Sequence, residues 1–414
     1  MNVKPDGFFG VVMAIEGISD STVLLHGPDG CRKNLAALTG KVYPRPDANI
    51  KRMTPYYYGW PRIPCTGIAS NDYVYGAYER LSEALGYVKG TASFIAVVNS
   101  PGASLIGDNC QKAIDENGLQ DIAVVLDADL SSKPLNVGMD NALVTVLKKI
   151  SPRRDAPRKG TVNILGNSVL QKDWESVNEE IGHILELMGL ETISCVGAGS
   201  SIQNMRESAN AEFNVLVCPE YAQEQARYYK EEFGITPIDM GYSPVGFEAT
   251  EDFIMKIAEV TGKDPSKALE YVDRYKKKAY RRMLAARYGT TGYSFAIDAD
   301  PCVLYPLTKW LSDNMEMVPV ALRANGIPFE YAEEKLREYL ERKELTQVMD
   351  QMPPEFTDVV MTDGNTAQIY ERSQHCRRGV DLKFPSMMNV EFLSQPIYGA
   401  LGSMYILERI VNRF

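Results

Sequence analysis

Short apolar runs closed by turn residues recur along the chain, and amphipathic stretches separate them. The first run, Thr22 to Leu25, follows a helix-like stretch from Phe9 to Ile18 and enters the turn Gly27-Pro28-Asp29-Gly30. A helix-compatible segment resumes at Arg32. An apolar run bounded by turn residues reads as a buried strand, and apolar residues every three or four positions read as a helix. On that basis strands are predicted at Phe94–Val98, Ile122–Leu126 (ending in Asp127 and Asp129), Thr161–Leu165, Thr192–Val196, Phe213–Cys218 and Ile235–Ile238. Three more follow at Ser294–Asp298, Glu316–Ala321 and Asp358–Thr362. Helices are predicted from Tyr73 to Leu85 after the capping run Ala69-Ser70-Asn71-Asp72, from Trp174 to Met188, from Tyr221 to Phe233, across 264–288, and at Tyr405–Val411.

Strands alternating with helices throughout predict an α/β protein with parallel sheets. The basic, Pro-containing stretch 151–160 reads as a linker. The expected organisation is an N-terminal α/β domain over 1–150, a second α/β domain over 161–290, a third over 291–395, and a C-terminal helix in 396–414. Residues 41–64 break the alternation with five prolines, Tyr56-Tyr57-Tyr58 and Trp60, and are long enough to be functional rather than a plain connection; the aromatics are read as a cluster wall, a subunit interface or interior packing.

Composition narrows the functions. The 414 residues carry a formal net charge of −10, which argues against a general nucleic-acid or anionic-membrane surface. No apolar segment approaches the roughly 18 residues of a membrane span. The N-terminus lacks a signal-peptide core, so a cytoplasmic location is expected. Neither a strand-borne GxGxxG nor a GxxxxGK[ST] is present, so nucleotide binding by this chain is not expected.

The seven cysteines, Cys31, Cys65, Cys110, Cys195, Cys218, Cys302 and Cys376, are odd in number and widely spaced, without a CxxC. A disulfide framework and a zinc ribbon are therefore not expected. Cys31 stands at the end of the first strand's turn, where open α/β sheets build their sites, and Gly30 lets backbone N–H groups approach a ligand. Cys65 follows the Pro-rich approach Trp60-Pro61-Arg62-Ile63-Pro64. Spacing alone leaves both as either thiolate ligands or buried structural cysteines. Cys218, at a predicted strand end, either contacts a metallocluster or substrate or fills an apolar position. Cys195 and Cys302 border strands and are expected in the core; Cys376, in Gln374-His375-Cys376-Arg377-Arg378, is expected on a surface loop. His26 is read as a hydrogen-bond donor, a proton relay or a plain buried histidine. Asp29 and Arg32 are read as a docking face or a solvated ion pair. No catalytic residue is assigned.

Taken in order, six segments resemble the nitrogenase component 1 family, which includes the molybdenum-iron protein subunits, their cofactor-assembly relatives and dark-operative protochlorophyllide reductase. They are His26-Gly27-Pro28-Asp29-Gly30-Cys31; Cys65 with Asn71 to Ala77 and Arg80-Leu81; Leu105-Ile106-Gly107-Asp108-Asn109; Phe213 to Cys218; Pro244 to Thr250; and Gln395 to Ala400. Each is a weak motif singly, and the resemblance covers nearly the whole chain.

The resemblance implies three Rossmann-like domains and pairing with a homologous subunit as a homo- or hetero-oligomer. It implies a [4Fe-4S] or P-cluster-like iron–sulfur cluster shared with that subunit, with Cys31 and Cys65 as ligands, Gly30 beside it and Cys110 as a further candidate. It also implies an ATP-dependent iron–sulfur reductase that feeds electrons through the cluster to a substrate or cofactor between domains, and it allows a second metallocluster near Cys218. Two departures stand out: Asn99-Ser100-Pro101 occupies the place of a third cluster cysteine, and Phe384-Pro385-Ser386-Met387-Met388 lacks the histidine of the catalytic nitrogenase subunit. The implied role is a subunit of a nitrogenase-like oxidoreductase. The alternatives are a scaffold for metallocluster assembly or tetrapyrrole binding, and a non-catalytic partner whose sister carries the active site.

Overall fold

A computed structural model describes residues 6–42, 63–126, 132–285, 289–324, 326–386 and 391–412. The aromatic run Tyr56-Tyr57-Tyr58, Trp60, Asp127, Asp129, Met387 and Met388 lie outside the described residues. Among the described residues eleven strands form three parallel sheets, and the protein is α/β as the pattern predicts.

The first sheet has the order β1-β2-β3, with β1 at Ser21–His26, β2 at Phe94–Asn99 and β3 at Ala123–Leu126. Val23 pairs with Ala96 and His26 with Asn99. Parallel strands are covered on both faces, which is why their sequences are continuous apolar runs; Val23, Leu24 and Leu25 are fully buried.

The second sheet has the order β5-β4-β6-β7 (Glu191–Cys195, Thr161–Leu165, Phe213–Leu216 and Thr236–Ile238). The third has the order β11-β10-β8-β9 (Cys376–Lys383, Thr357–Asp363, Ser294–Ala299 and Val318–Ala324). Chain contacts divide the protein into two compact units. One comprises Met1–Pro157, Ser194–Asn210 and Gln223–Gly234; the other comprises Arg158–Ile193, Ala211–Ala222 and Ile235–Phe414.

Three local expectations change. The helix expected from Tyr73 to Leu85 is two helices, Asp72–Tyr75 and Tyr78–Val88, because Gly76 sits at φ +90, where a helix cannot continue. The strand expected from Glu316 begins two residues later, since Glu316 itself has φ +53. Cys376 is not on a surface loop. It opens β11, is buried, and packs with Ala296, Ala321 and Val360. The charges of Arg377 and Arg378 hide this strand in the sequence pattern, yet an edge strand carries such charges readily. Among the described residues no helix is long and apolar enough to cross a membrane.

Candidate two-thiol site

The site forms where β1 ends. The segment after the Pro-rich stretch runs parallel beside β1: Leu25 N–H donates to the Pro64 carbonyl at 2.8 Å, Thr66 N–H to the Leu25 carbonyl at 3.1 Å, and Ile68 N–H to the Gly27 carbonyl at 3.0 Å. Cys65 is thereby laid against the Gly27 turn. Its thiol donates to the Gly27 carbonyl at 3.0 Å, and Gly67 N–H points at its sulfur at 3.3 Å.

Cys31 lies in the first turn of the helix Asp29–Val42, whose N-terminal dipole favours negative charge on sulfur. Asp29 in the same turn is held below the usual carboxylate range by Lys33 and Arg32, with Lys33 Nζ at 2.8 Å and Arg32 Nε at 2.6 Å. Both thiols are half-buried. Burial pushes each above the ordinary thiol range; at Cys65 the Gly67 amide and Arg32 pull the other way, while Asp29 and the Cys31 sulfur push it up. Gly30 is exposed, and a side chain there would meet nothing within 4 Å.

Asp108 and Thr66, to which the sequence pattern assigns no role, complete the turn. Asp108 Oδ2 lies 3.1 Å from His26 Nε2 and accepts the Ala77 N–H at 2.9 Å, while Thr66 Oγ1 accepts the Gly27 N–H at 3.0 Å. Cys110 goes elsewhere. It is buried at the start of the helix Cys110–Glu116 in an apolar cluster with Leu24, Leu81, Leu85, Val97 and Ile114.

Cys218 belongs to the other unit, two residues beyond β6, and is fully buried. Its sulfur lies 2.8 Å from Tyr398 Oη and 3.4 Å from Ser243 Oγ, and Gln171 Nε2 approaches it at 3.5 Å. Gly166, at φ +84, is pressed against the Cys218 backbone so closely that a side-chain carbon would lie 2.2 Å from its carbonyl oxygen. Burial raises the Cys218 thiol well above its ordinary range, and the nearby Glu220 adds to this. A thiol enclosed by the chain's own side chains does not fit a metallocluster ligand. Among the described residues no group of three or more His, Cys, Asp or Glu is arranged to hold a metal. Cys302 is buried, as expected, and donates weakly to the Gly241 carbonyl at 3.6 Å; Cys195 ends β5, half-buried. No disulfide joins any of the seven cysteines.

Residues 7–414 match the family model of nitrogenase component 1 type oxidoreductases. The chain belongs to that family. Among its relatives, the nitrogenase molybdenum-iron protein beta chain of Bradyrhizobium diazoefficiens is 22% identical over 450 aligned positions, covering 98% of this chain and 82% of that protein. A light-independent protochlorophyllide reductase component of Halorhodospira halophila is 25% identical over 186 residues, 41% of this chain but only 35% of that protein. The nitrogenase iron-molybdenum cofactor biosynthesis protein NifE of Nostoc sp. is 24% identical over 243 residues, 57% of this chain and 47% of that protein. A solved structure described as nitrogenase Cp1 at pH 6.5 superposes with a TM-score of 0.79 at 15% identity, covering 99% of this chain and 92% of its own. This likeness shows the nitrogenase component 1 fold.

Proposed function

We propose that this chain is a subunit of a nitrogenase-like oxidoreductase, and that Cys31 and Cys65 hold an iron–sulfur cluster of the [4Fe-4S] or P-cluster-like kind together with ligands from a homologous partner subunit. The observation that carries this reading is the placement of two half-buried thiols about the turn that ends β1, Cys65 against the Gly27 carbonyl and Cys31 in the first turn of the helix that follows, beside a glycine that the chain's own packing does not require. Four thiolates usually hold such a cluster. The described residues gather two, so a second chain has to supply the remainder. Bound there, the cluster supplies single-electron transfer.

The chain's own groups suit that role. The helix N-terminus at Cys31 and the Gly67 N–H lower the cost of negative charge on the sulfurs. Because burial keeps both thiols protonated in the absence of metal, loading the site releases protons. Val74 and Tyr75, in the short helix Asp72–Tyr75, are exposed, as is Leu105 after β2; Tyr73 lies against Gly102, in the short helix that follows β2. Exposed apolar side chains of this kind suit a protein partner, and an ATP-dependent iron–sulfur reductase is the electron donor we propose for it.

A second reading has an observation of its own. The closed surroundings of Cys218 favour a chain whose sister subunit carries the substrate site, or one that serves as an assembly scaffold. The test is anaerobic purification, alone and with a related subunit, followed by iron and acid-labile sulfide analysis of wild type and Cys31→Ala. Iron and sulfide in the wild type and their loss in the variant support the proposal; equal iron in both refutes it. A cluster that departs to another protein favours the scaffold, and ATP- and reductase-dependent reduction in place favours the oxidoreductase.

A further inference from the structure

We propose that Asp108, acting through the buried His26 ring, is a positioning residue for the Cys31–Cys65 pair; this rests on the reading that the pair is a ligand site. The Gly27 peptide is what holds the Cys65 sulfur. Its carbonyl receives the thiol at 3.0 Å and the Ile68 N–H at 3.0 Å, and its own N–H goes to Thr66 Oγ1 at 3.0 Å. Gly27 has no side chain with which to fix itself, and a carbon placed there would lie 2.6 Å from Ser100 Oγ. The orientation of the turn is therefore set by the residue that enters it, His26.

That histidine is fully buried at the end of β1. Its carbonyl accepts the Ser100 N–H at 2.9 Å. Its ring has Asp108 Oδ2 at 3.1 Å, and its other nitrogen, Nδ1, is buried with no hydrogen-bond partner among the described residues. One carboxylate thus fixes the ring. The same oxygen accepts the Ala77 N–H at 2.9 Å, so Asp108 fastens the end of β1 to the start of the helix Tyr78–Val88. Without Asp108 both ring nitrogens lack partners, and a buried polar group in that state moves to find one. The Gly27 carbonyl would move with it, and the Cys65 thiol would lose its acceptor.

The test uses the full chain, iron-free and anaerobic, with iodoacetamide alkylation followed residue by residue by mass spectrometry. Asp108→Ala and His26→Ala are expected to speed alkylation of Cys65 by about three- to tenfold, the range that loss of one hydrogen bond gives. Buried Cys376 is expected to keep its wild-type rate. His26→Gln, which keeps an N–H for Asp108, is expected to return Cys65 to within about twofold of wild type. An unchanged Cys65 rate in folded Asp108→Ala overturns the proposal. So does a rise matched at Cys376, which would signal general loosening. Should Asp108→Ala not fold, His26→Ala against His26→Gln decides by the same rates. Iron analysis of the wild type separately tests the ligand reading, so that reading can fail while the positioning role stands.

Discussion

Tyr398 Oη lies 2.8 Å from Cys218 Sγ, with both residues fully buried. Tyr398 precedes the C-terminal helix Gly399–Val411, so the contact ties the end of the chain to the segment after β6. Glu180 ties it a second time: its Oε1 accepts the Leu401 N–H at 3.1 Å and its Oε2 accepts from Tyr271 at 2.8 Å. A cysteine held this way acts as a core residue.

Removing the hydroxyl should therefore cost stability rather than cofactor. Tyr398→Phe is expected to destabilise the protein by about 1–3 kcal/mol, the penalty for stripping the partner from a buried polar group. Iron content should match wild type. Denaturant unfolding together with iron analysis checks both, and loss of iron would place a metal at Cys218 after all.

Gly166→Ala is expected to be more damaging. The site combines a left-handed backbone with a carbonyl 2.2 Å from the new methyl, so backbone must shift. A loss above about 2 kcal/mol is expected. Wild-type-like unfolding would show that the loop after β4 is more yielding than its packing indicates.

Asp140 gives a pH dependence with a definite sign. It is buried in the helix Leu135–Ile150 and accepts the Glu224 N–H at 2.7 Å and the Gln225 N–H at 3.1 Å. Burial raises its carboxyl to about 7, against the opposing pull of Gln225. A carboxyl whose folded value exceeds its unfolded one binds more protons in the folded state between the two. Its contribution is thus complete below about pH 4 and declines as pH rises toward about 7. Asp140→Asn should flatten the stability profile between about pH 4 and 7. Unfolding curves across that window check this; parallel profiles for variant and wild type would contradict it.

Much of this architecture is legible in the chain. Continuous apolar runs such as Phe94-Ile95-Ala96-Val97-Val98 announce parallel strands because such strands are buried on both faces. The β1 turn is legible as well, since glycine, proline and a cysteine close an apolar run. What stays hidden depends on contacts far apart in sequence. Nothing local distinguishes Asp108, 82 residues from His26, from a solvated acid. Cys218 reads as an open strand-end thiol until Tyr398, 180 residues away, closes over it. Cys110 is near the cluster segments in sequence, yet the helix it begins turns its thiol into the core. The strand β11 is hidden by the charges that suit a sheet edge.

Loading the thiol site should depend on pH in one direction. Burial holds Cys31 and Cys65 above the ordinary thiol range, and each must lose a proton to bind metal. Anaerobic reconstitution with iron and sulfide is expected to be more complete at about pH 8.5 than at about pH 6.5, where the thiolate fraction of each cysteine is roughly a hundredfold smaller. Incorporation read from the visible absorbance checks this, and equal yield at both values would contradict it.

EPR of the dithionite-reduced, anaerobically purified complex, comparing wild type with Cys31→Ala, Cys65→Ala and Cys218→Ala, decides whether Cys31 and Cys65 hold a cluster. A reduced-cluster signal is expected in the wild type and in Cys218→Ala, and its loss in both Cys31→Ala and Cys65→Ala. A signal that survives in Cys31→Ala and Cys65→Ala, or disappears only in Cys218→Ala, would contradict it.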